Sequence, residues 1–181
     1  FLIKKCRNIK KDKINIVEFA GTEGSSVATE RAEGFRSVIS RDSRLRIIHS
    51  EDGDFLRSRG KEMMDKILAA NHGMHLENEP IDVIYSHNDS MTLGLLDSLE
   101  ENNITSRNTI IISIDAEQKS IDALTQGKLN CVVECNPNLG PQLMKLVKDI
   151  AEGKEIPRIS YTHETVFLET DDFSTYEPRG Y

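Results

Sequence analysis

Asn88 and Asp115 each follow an apolar, β-branched run, Ile81 to Tyr85 for the first and Thr109 to Ile114 for the second. An amide and a carboxylate at such places can grip pairs of vicinal hydroxyls, because Asn both donates and accepts while Asp accepts on two oxygens. Other apolar runs end in the same way. Gly21-Thr22-Glu23-Gly24-Ser25-Ser26 follows Ile14 to Phe19, and Glu134-Cys135-Asn136 closes the run that starts at Leu129. Asp, Asn and Ser also cap helices, and Asp89 and Ser90, just before Met91, read as such caps. Phe55, after Gly53-Asp54, offers an aromatic face that can cover the apolar side of a sugar ring.

Covalent chemistry finds less support. The Gly21 to Gly24 turn lacks both GxGxxG and GxxxxGK[ST], and Glu23 within it repels phosphate. Neither Ser25 nor Ser26 stands in a GxSxG elbow. The histidines His49, His72, His75, His87 and His163 are scattered without HExxH, and read as solvated side chains. Glu18-Phe19-Ala20 does not make the acidic cluster of a phosphoryl acceptor. Cys6, Cys131 and Cys135 show no CxxC spacing, and read as buried small apolar residues. Along a strand Cys131 and Cys135 stand ~13 Å apart at ~3.3 Å per residue, too far to bridge. No catalytic residue, metal or cofactor is expected, and polyol binding is the chemistry that remains.

The elements that must position these groups follow from composition and period. With 181 residues, 38% hydrophobic and 29% charged, the chain has the balance of a globular protein, and its net charge of −7 disfavours nucleic acid and anionic lipid. Apolar runs such as Ile110-Ile111-Ile112 fall far short of the ~20 residues that span a bilayer. Short β-branched runs alternate with helical stripes. Strands are predicted at Ile14 to Phe19, Leu45 to Ile48, Ile81 to Tyr85, Thr109 to Ile114 and Leu129 to Glu134, with a last extended stretch near Ile159 to Leu168. The helix over 25–39 is predicted to bury Ala28, Ala32, Phe35 and Val38, and the helix over 57–70 to bury Met63, Met64, Ile67 and Leu68. Residues 71–80 read as a loop, and Leu139, Leu143, Leu146, Val147 and Ile150 share one helical face. The expected fold is α/β, a doubly wound open parallel sheet with helices on both faces, whose ligand edge lies at the carboxyl ends of the strands.

At these residues the chain resembles the type I periplasmic sugar-binding proteins of ABC importers, of the ribose and galactofuranose type. The matching motifs are Gly21 to Phe35, Gly53-Asp54-Phe55 with Arg57 and Gly60-Lys61, His87-Asn88-Asp89-Ser90-Met91 with Gly94, Ser113-Ile114-Asp115, and the ending Arg179-Gly180-Tyr181. The resemblance implies ligand contacts at Arg31, Phe55, Asn88, Asp115 and the position of Cys135, where ribose binders carry Gln. Glu134 is an alternative donor of that contact, and Ala116, in place of a usual Gly, is expected to narrow the space beneath the sugar. The resemblance also implies that residues 1–136 form the C-terminal lobe of a two-lobed protein. Residues 137–157 then form a helix that crosses to the other lobe, and 158–181 a returning strand and tail. The start at Phe1-Leu2-Ile3 reads as the end of an amphipathic helix, and so as a fragment. Leaving the 139–150 helix wet costs ~1.5–3 kcal/mol per apolar side chain, so it is expected to dock on this lobe or pair with a second copy as a homodimer.

The implied function is delivery of a monosaccharide to ABC transporter permease subunits at the periplasmic or outer face of the membrane, with a lipid anchor as one option. The ligand-binding domain of a LacI-type regulator and a sensor ectodomain share this fold and stay open.

Overall fold

The computed structural model describes residues 1–71 and 73–181. Strands β1 (Ile14–Ala20), β2 (Leu45–Asp52), β5 (Val83–Ser86), β6 (Ile110–Asp115), β7 (Cys131–Glu134) and β8 (Val166–Leu168) form one sheet in the order β2-β1-β5-β6-β7-β8. The first five run parallel and β8 is antiparallel to β7. The open, mostly parallel sheet expected from the sequence is present, and the returning segment of the chain closes its edge as the antiparallel β8. After β7 the chain does not cross back over the sheet, but returns from the edge at which β7 ends, with Glu134 N–H donating to Thr165 O at 2.8 Å.

Side chains alternate between two covered faces, as a sheet buried on both sides requires. Ile14, Ile16, Val83, Tyr85 and Ile112 pack beneath α1 (Leu2–Cys6) and α2 (Ser26–Ile39). Val17, Phe19, Ile84, Ile111 and Val132 pack beneath α3 (Arg57–Asn71), α4 (Asp89–Glu101) and α5 (Gln118–Thr125). Helix α2 starts where Ser25 Oγ accepts from Ala28 N–H at 3.1 Å, so Ser25, read as the first helical residue, is its N-cap. Its buried stripe ends on Ile39 and not on Val38, which is 43% exposed. Leu45, from the start of β2, shares the Ile39 cluster, so the chain's exit turns position 39 inward. The 71–80 segment, expected to be a loop, contains a short hairpin of β3 (His75–Leu76) and β4 (Glu79–Pro80). It turns through Glu77 and Asn78, whose φ angles are 50° and 68°.

Helices α3 and α4 meet backbone to backbone. A Cβ on Gly94 would lie 1.9 Å from Arg57 O, and one on Gly60 2.2 Å from Met91 O. These two glycines set how closely α4 approaches α3, and so where the N-terminus of α4 opens onto the sheet edge.

Helix α6 (Gly140–Ala151) is the exception to this packing. It buries no residue, and Leu143, Met144, Val147 and Ile150 are 55%, 65%, 54% and 56% exposed. Gln142 Nε2 ties it to Ser160 Oγ at 2.6 Å on the returning segment. The expectation that it docks on this lobe is therefore corrected: both sheet faces near it are already occupied by other helices. Replacing Leu143 by Asp should change the thermal stability of this chain by less than about 0.5 kcal/mol. A scanning-calorimetry loss several times larger would show α6 packed in solution. Among the described residues no helix is long and apolar enough to cross a membrane.

Candidate functional site

Because β1, β2, β5, β6 and β7 are parallel, their carboxyl ends share one edge, and the polar residues after them gather there. Arg31, one turn into α2, reaches across that edge. Its Nη2 donates to Asp115 Oδ1 at 2.8 Å, and its Nη1 donates to the His87 carbonyl. Its Cζ also stands 5.9 Å from the Phe55 ring centroid, within cation–π reach. Asn88 Nδ2 donates to Phe55 O at 3.1 Å. Arg31, Phe55, Asn88 and Asp115 are thus linked in one cluster, although up to 84 positions separate them along the chain.

The backbone at this edge takes conformations that side chains rarely adopt. Asp54 and Phe55 have φ of 51° and 58°, and Asp115 and Ala116 have 119° and 66°. Such residues cost of order 1–3 kcal/mol each and persist only where surroundings hold them. Here the Phe55 carbonyl takes the Asn88 amide. The Asp115 carbonyl accepts from Cys135 N–H at 3.1 Å, and Glu117 N–H donates to Asp89 Oδ2 at 2.6 Å. The left-handed φ of 66° at Ala116 is a conformation that favours glycine. Its methyl belongs to the buried apolar cluster with Ile121 and Leu124, so the expected narrowing beneath a ligand is corrected.

Asn88, and neither Asp89 nor Ser90, caps α4: its Oδ1 accepts from Met91 N–H at 3.0 Å. The reason is geometric, since Asn88 holds the extended φ of −153° that precedes a helix. Asp89 lies fully buried one residue on, its carboxylate bonded by Ser113 Oγ and the Glu117 amide. Burial pushes the Asp89 carboxyl up to about 7, against the lowering effect of those two bonds. Burial also raises the Asp115 carboxyl, and the Arg31 guanidinium only partly offsets it.

Cys135 joins the cluster through its main chain, and the residue is exposed, which corrects its reading as buried; Cys6 and Cys131 are buried. Glu134 is corrected as an alternative ligand group. It is 6% exposed and accepts from Arg179 Nη1 at 2.8 Å, Thr165 N–H at 2.9 Å and Tyr181 Oη at 3.1 Å. Those bonds fasten the C-terminal tail to the sheet and occupy both oxygens of the carboxylate.

Two buried polar positions beside this cluster are not marked by any motif. His87 is wholly buried, not solvated: its Nδ1 accepts from Gly21 N–H at 3.1 Å and its Nε2 lies 3.2 Å from Glu18 Oε1. Glu18 is also fully buried, bonded by Arg36 Nη1 at 3.0 Å and Ser50 Oγ at 2.7 Å. Burial alone raises an acid, but the bonds from His87, Ser50 and Arg36 together bring Glu18 below its usual range. The available signal was Glu18 itself, an acid within an otherwise apolar strand, which demands partners. His72 lies outside the described residues. Among the described residues, no group of three or more His, Cys, Asp or Glu is placed to hold a metal. A hollow of about 390 Å³ beside the end of α4, lined by Leu99, Ile104, Arg107 and Lys128, lies at the opposite end of the strands.

Residues 2–155 match the model of a periplasmic binding protein domain. The chain is 35% identical over 157 residues to the galactofuranose-binding protein YtfQ of Escherichia coli, covering 85% of this chain and 48% of that protein. A solved structure from Mycobacterium smegmatis in complex with β-D-fucofuranose is 34% identical. It aligns with a TM-score of 0.80 over 93% of this chain and 53% of that one. The periplasmic binding protein component of the arabinose ABC transporter from Shewanella sp. ANA-3, bound to α- and β-L-arabinofuranose, is 29% identical. Its TM-score is also 0.80, over the same shares of the two chains. YtfQ and the Shewanella protein are named as binding proteins rather than as enzymes. The chain spans about half the length of the curated relatives it matches. With a mostly parallel α/β sheet whose polar groups gather at the carboxyl edge, this chain belongs to the periplasmic binding protein domain family.

Proposed function

We propose that this chain is one wall of a monosaccharide site, with Arg31, Phe55, Asn88 and Asp115 as the groups that meet the sugar and the Cys135 position at its rim. The observation that carries the reading is the convergence of these side chains at a single sheet edge. Arg31 spends two nitrogens on His87 and Asp115 and keeps further N–H groups, while the Asp115 carboxylate, bonded by Arg31 and by the Asp89 backbone N–H, has lone pairs beyond those two bonds. A carboxylate beside a guanidinium can receive and donate to neighbouring hydroxyls at once, and Phe55 supplies the surface for ring C–H groups. The relatives' names point to furanose sugars, so a furanose is the proposed ligand class.

A second lobe supplies the opposite wall and packs on the exposed face of α6. Closure of the two around the sugar favours the closed state, which is presented to an ABC permease outside the cytoplasmic membrane. One wall cannot desolvate a hydrophilic ligand, so this chain alone should bind far more weakly than the two-lobed protein.

The test is calorimetric titration of the two-lobed protein with methyl β-D-galactofuranoside, L-arabinose, D-ribose and D-fructose. At least one should bind, and Asp115→Ala should then weaken it by ~1.5–3 kcal/mol, the loss of a charged hydrogen bond. No heat with any of them removes the sugar reading. Unchanged affinity in the variant removes Asp115 from the site.

A further inference from the structure

We infer that His87 is a positioning residue for the ligand wall: its ring holds the Gly21 main chain against which Phe55 lies, and its carbonyl holds Arg31. The inference rests on the reading of Phe55 and Arg31 as ligand groups. His87 itself is fully buried and meets no ligand. Three contacts leave it in three directions. Nδ1 accepts from Gly21 N–H at 3.1 Å, the carbonyl accepts from Arg31 Nη1, and Nε2 faces Glu18 Oε1 at 3.2 Å. A peptide N–H can only donate and a carboxylate can only accept, so the ring is the tautomer with its proton on Nε2.

Glu18 keeps that tautomer in place, because Arg36 and Ser50 pin both of its oxygens from the strand and helix on either side. Tyr85 encloses the ring further: its own ring centroid is 5.2 Å from that of His87, and its hydroxyl donates to Arg31 O at 3.0 Å. Gly21 is the link to the platform. A Cβ placed on it would lie 2.0 Å from Phe55 Cζ, so the Phe55 ring rests directly on the Gly21 backbone. A shift of the Gly21 peptide therefore moves the support under Phe55, and with it the ring that faces Arg31 at 5.9 Å.

Two substitutions separate the contacts. In His87→Asn the side-chain oxygen falls near the place of Nδ1 and still accepts from Gly21, but the side chain is too short to reach Glu18. In His87→Gln the terminal amide falls near Nε2 and still donates to Glu18, leaving the Gly21 N–H without an acceptor. Amide hydrogen exchange of Gly21, measured by NMR on the full chain without sugar, should accelerate at least about tenfold in His87→Gln and less than about threefold in His87→Asn. In the two-lobed protein, affinity for methyl β-D-galactofuranoside should fall about tenfold in His87→Gln and be largely restored in His87→Asn.

Equal Gly21 exchange in both variants, or a binding defect in His87→Asn as large as in His87→Gln, overturns the inference. If the unsubstituted protein binds no sugar while the exchange pattern holds, it is the sugar reading that fails. A measurement free of folding defects uses the unsubstituted protein: the His87 ring ¹⁵N shifts should report a protonated Nε2 and bare Nδ1, and the opposite tautomer overturns the inference.

Discussion

Gly94→Ala should unfold at a temperature roughly 5–10 °C below the parent chain, a loss of at least about 2 kcal/mol. Helix propensity alone argues the other way, since Ala is favoured over Gly by about 1 kcal/mol within a helix. Packing decides, because the new methyl would lie 1.9 Å from Arg57 O and 2.8 Å from Lys61 N, both backbone atoms of α3. Neither helix can retreat cheaply. Met63, Met64 and Ile67 of α3 and Leu95 and Leu99 of α4 are all fixed in the same core. The control is Gly34→Ala in α2, an exposed position where an added Cβ meets nothing within 4 Å. There the propensity term acts alone, and a gain of up to about 1 kcal/mol is expected. Thermal melts followed by circular dichroism check both. A Gly94→Ala protein as stable as the parent would mean that α3 and α4 are not in backbone contact.

The second large effect is a pH dependence carried by Asp89. Its folded pKa, about 7, lies above the ordinary 3.8, and burial is the main cause, with the neighbouring Asp115 charge adding to it. A carboxyl raised on folding binds its proton more tightly in the native state. Stability from this group is therefore fully present below about 3.8, declines as the pH rises, and is lost above about 7. At about 1.4 kcal/mol per unit, the charged form costs the native state as much as about 4 kcal/mol.

Asn at this position imitates the protonated acid. Its oxygen accepts from Glu117 N–H and its amide donates to Ser113 Oγ, while Ser113, Thr92 and the Asn88 carbonyl continue the chain at 2.7 and 2.8 Å. Asp89→Asn should thus match the parent near pH 4 and exceed it at pH 8, by on the order of 10 °C in melting temperature. Titrating groups that do not interact with Asp89 act equally in both proteins and cancel in the difference, and the coupled Asp115 adds in the same sense, since its charge disfavours only the parent's charged Asp89. A melting difference that is the same at the two pH values would place the Asp89 proton elsewhere.

Much of the candidate site was legible in the residues after each apolar run. Phe55, Asn88 and Asp115 could be singled out because strands of one direction must end at one edge, whatever the order in which they pair. Arg31 was legible only through resemblance, because nothing in the spacing of a surface helix marks one arginine among several. Glu18 and His87 escaped for a different reason. Their meaning lies in partners 66 and 69 positions apart in the chain, and a histidine looks the same in sequence whether buried or wet. The readings of Val38 and Cys135 as buried failed over which way a side chain turns, which depends on the path of the chain beyond each element.

The amino-acid order by itself determined the succession of strands and helices, the two-sided burial of the sheet and the edge where hydrophilic groups collect. These are local matters, settled by residue size, branching and period within a few turns of chain. Only the tertiary structure decided that Asn88 spends its oxygen on a helix cap, that Glu134 belongs to the tail, and that α6 stands with its apolar face uncovered. Hydrogen bonds and close packing act over ~3–4 Å, and no local pattern states which residues distant in the chain will come within that range.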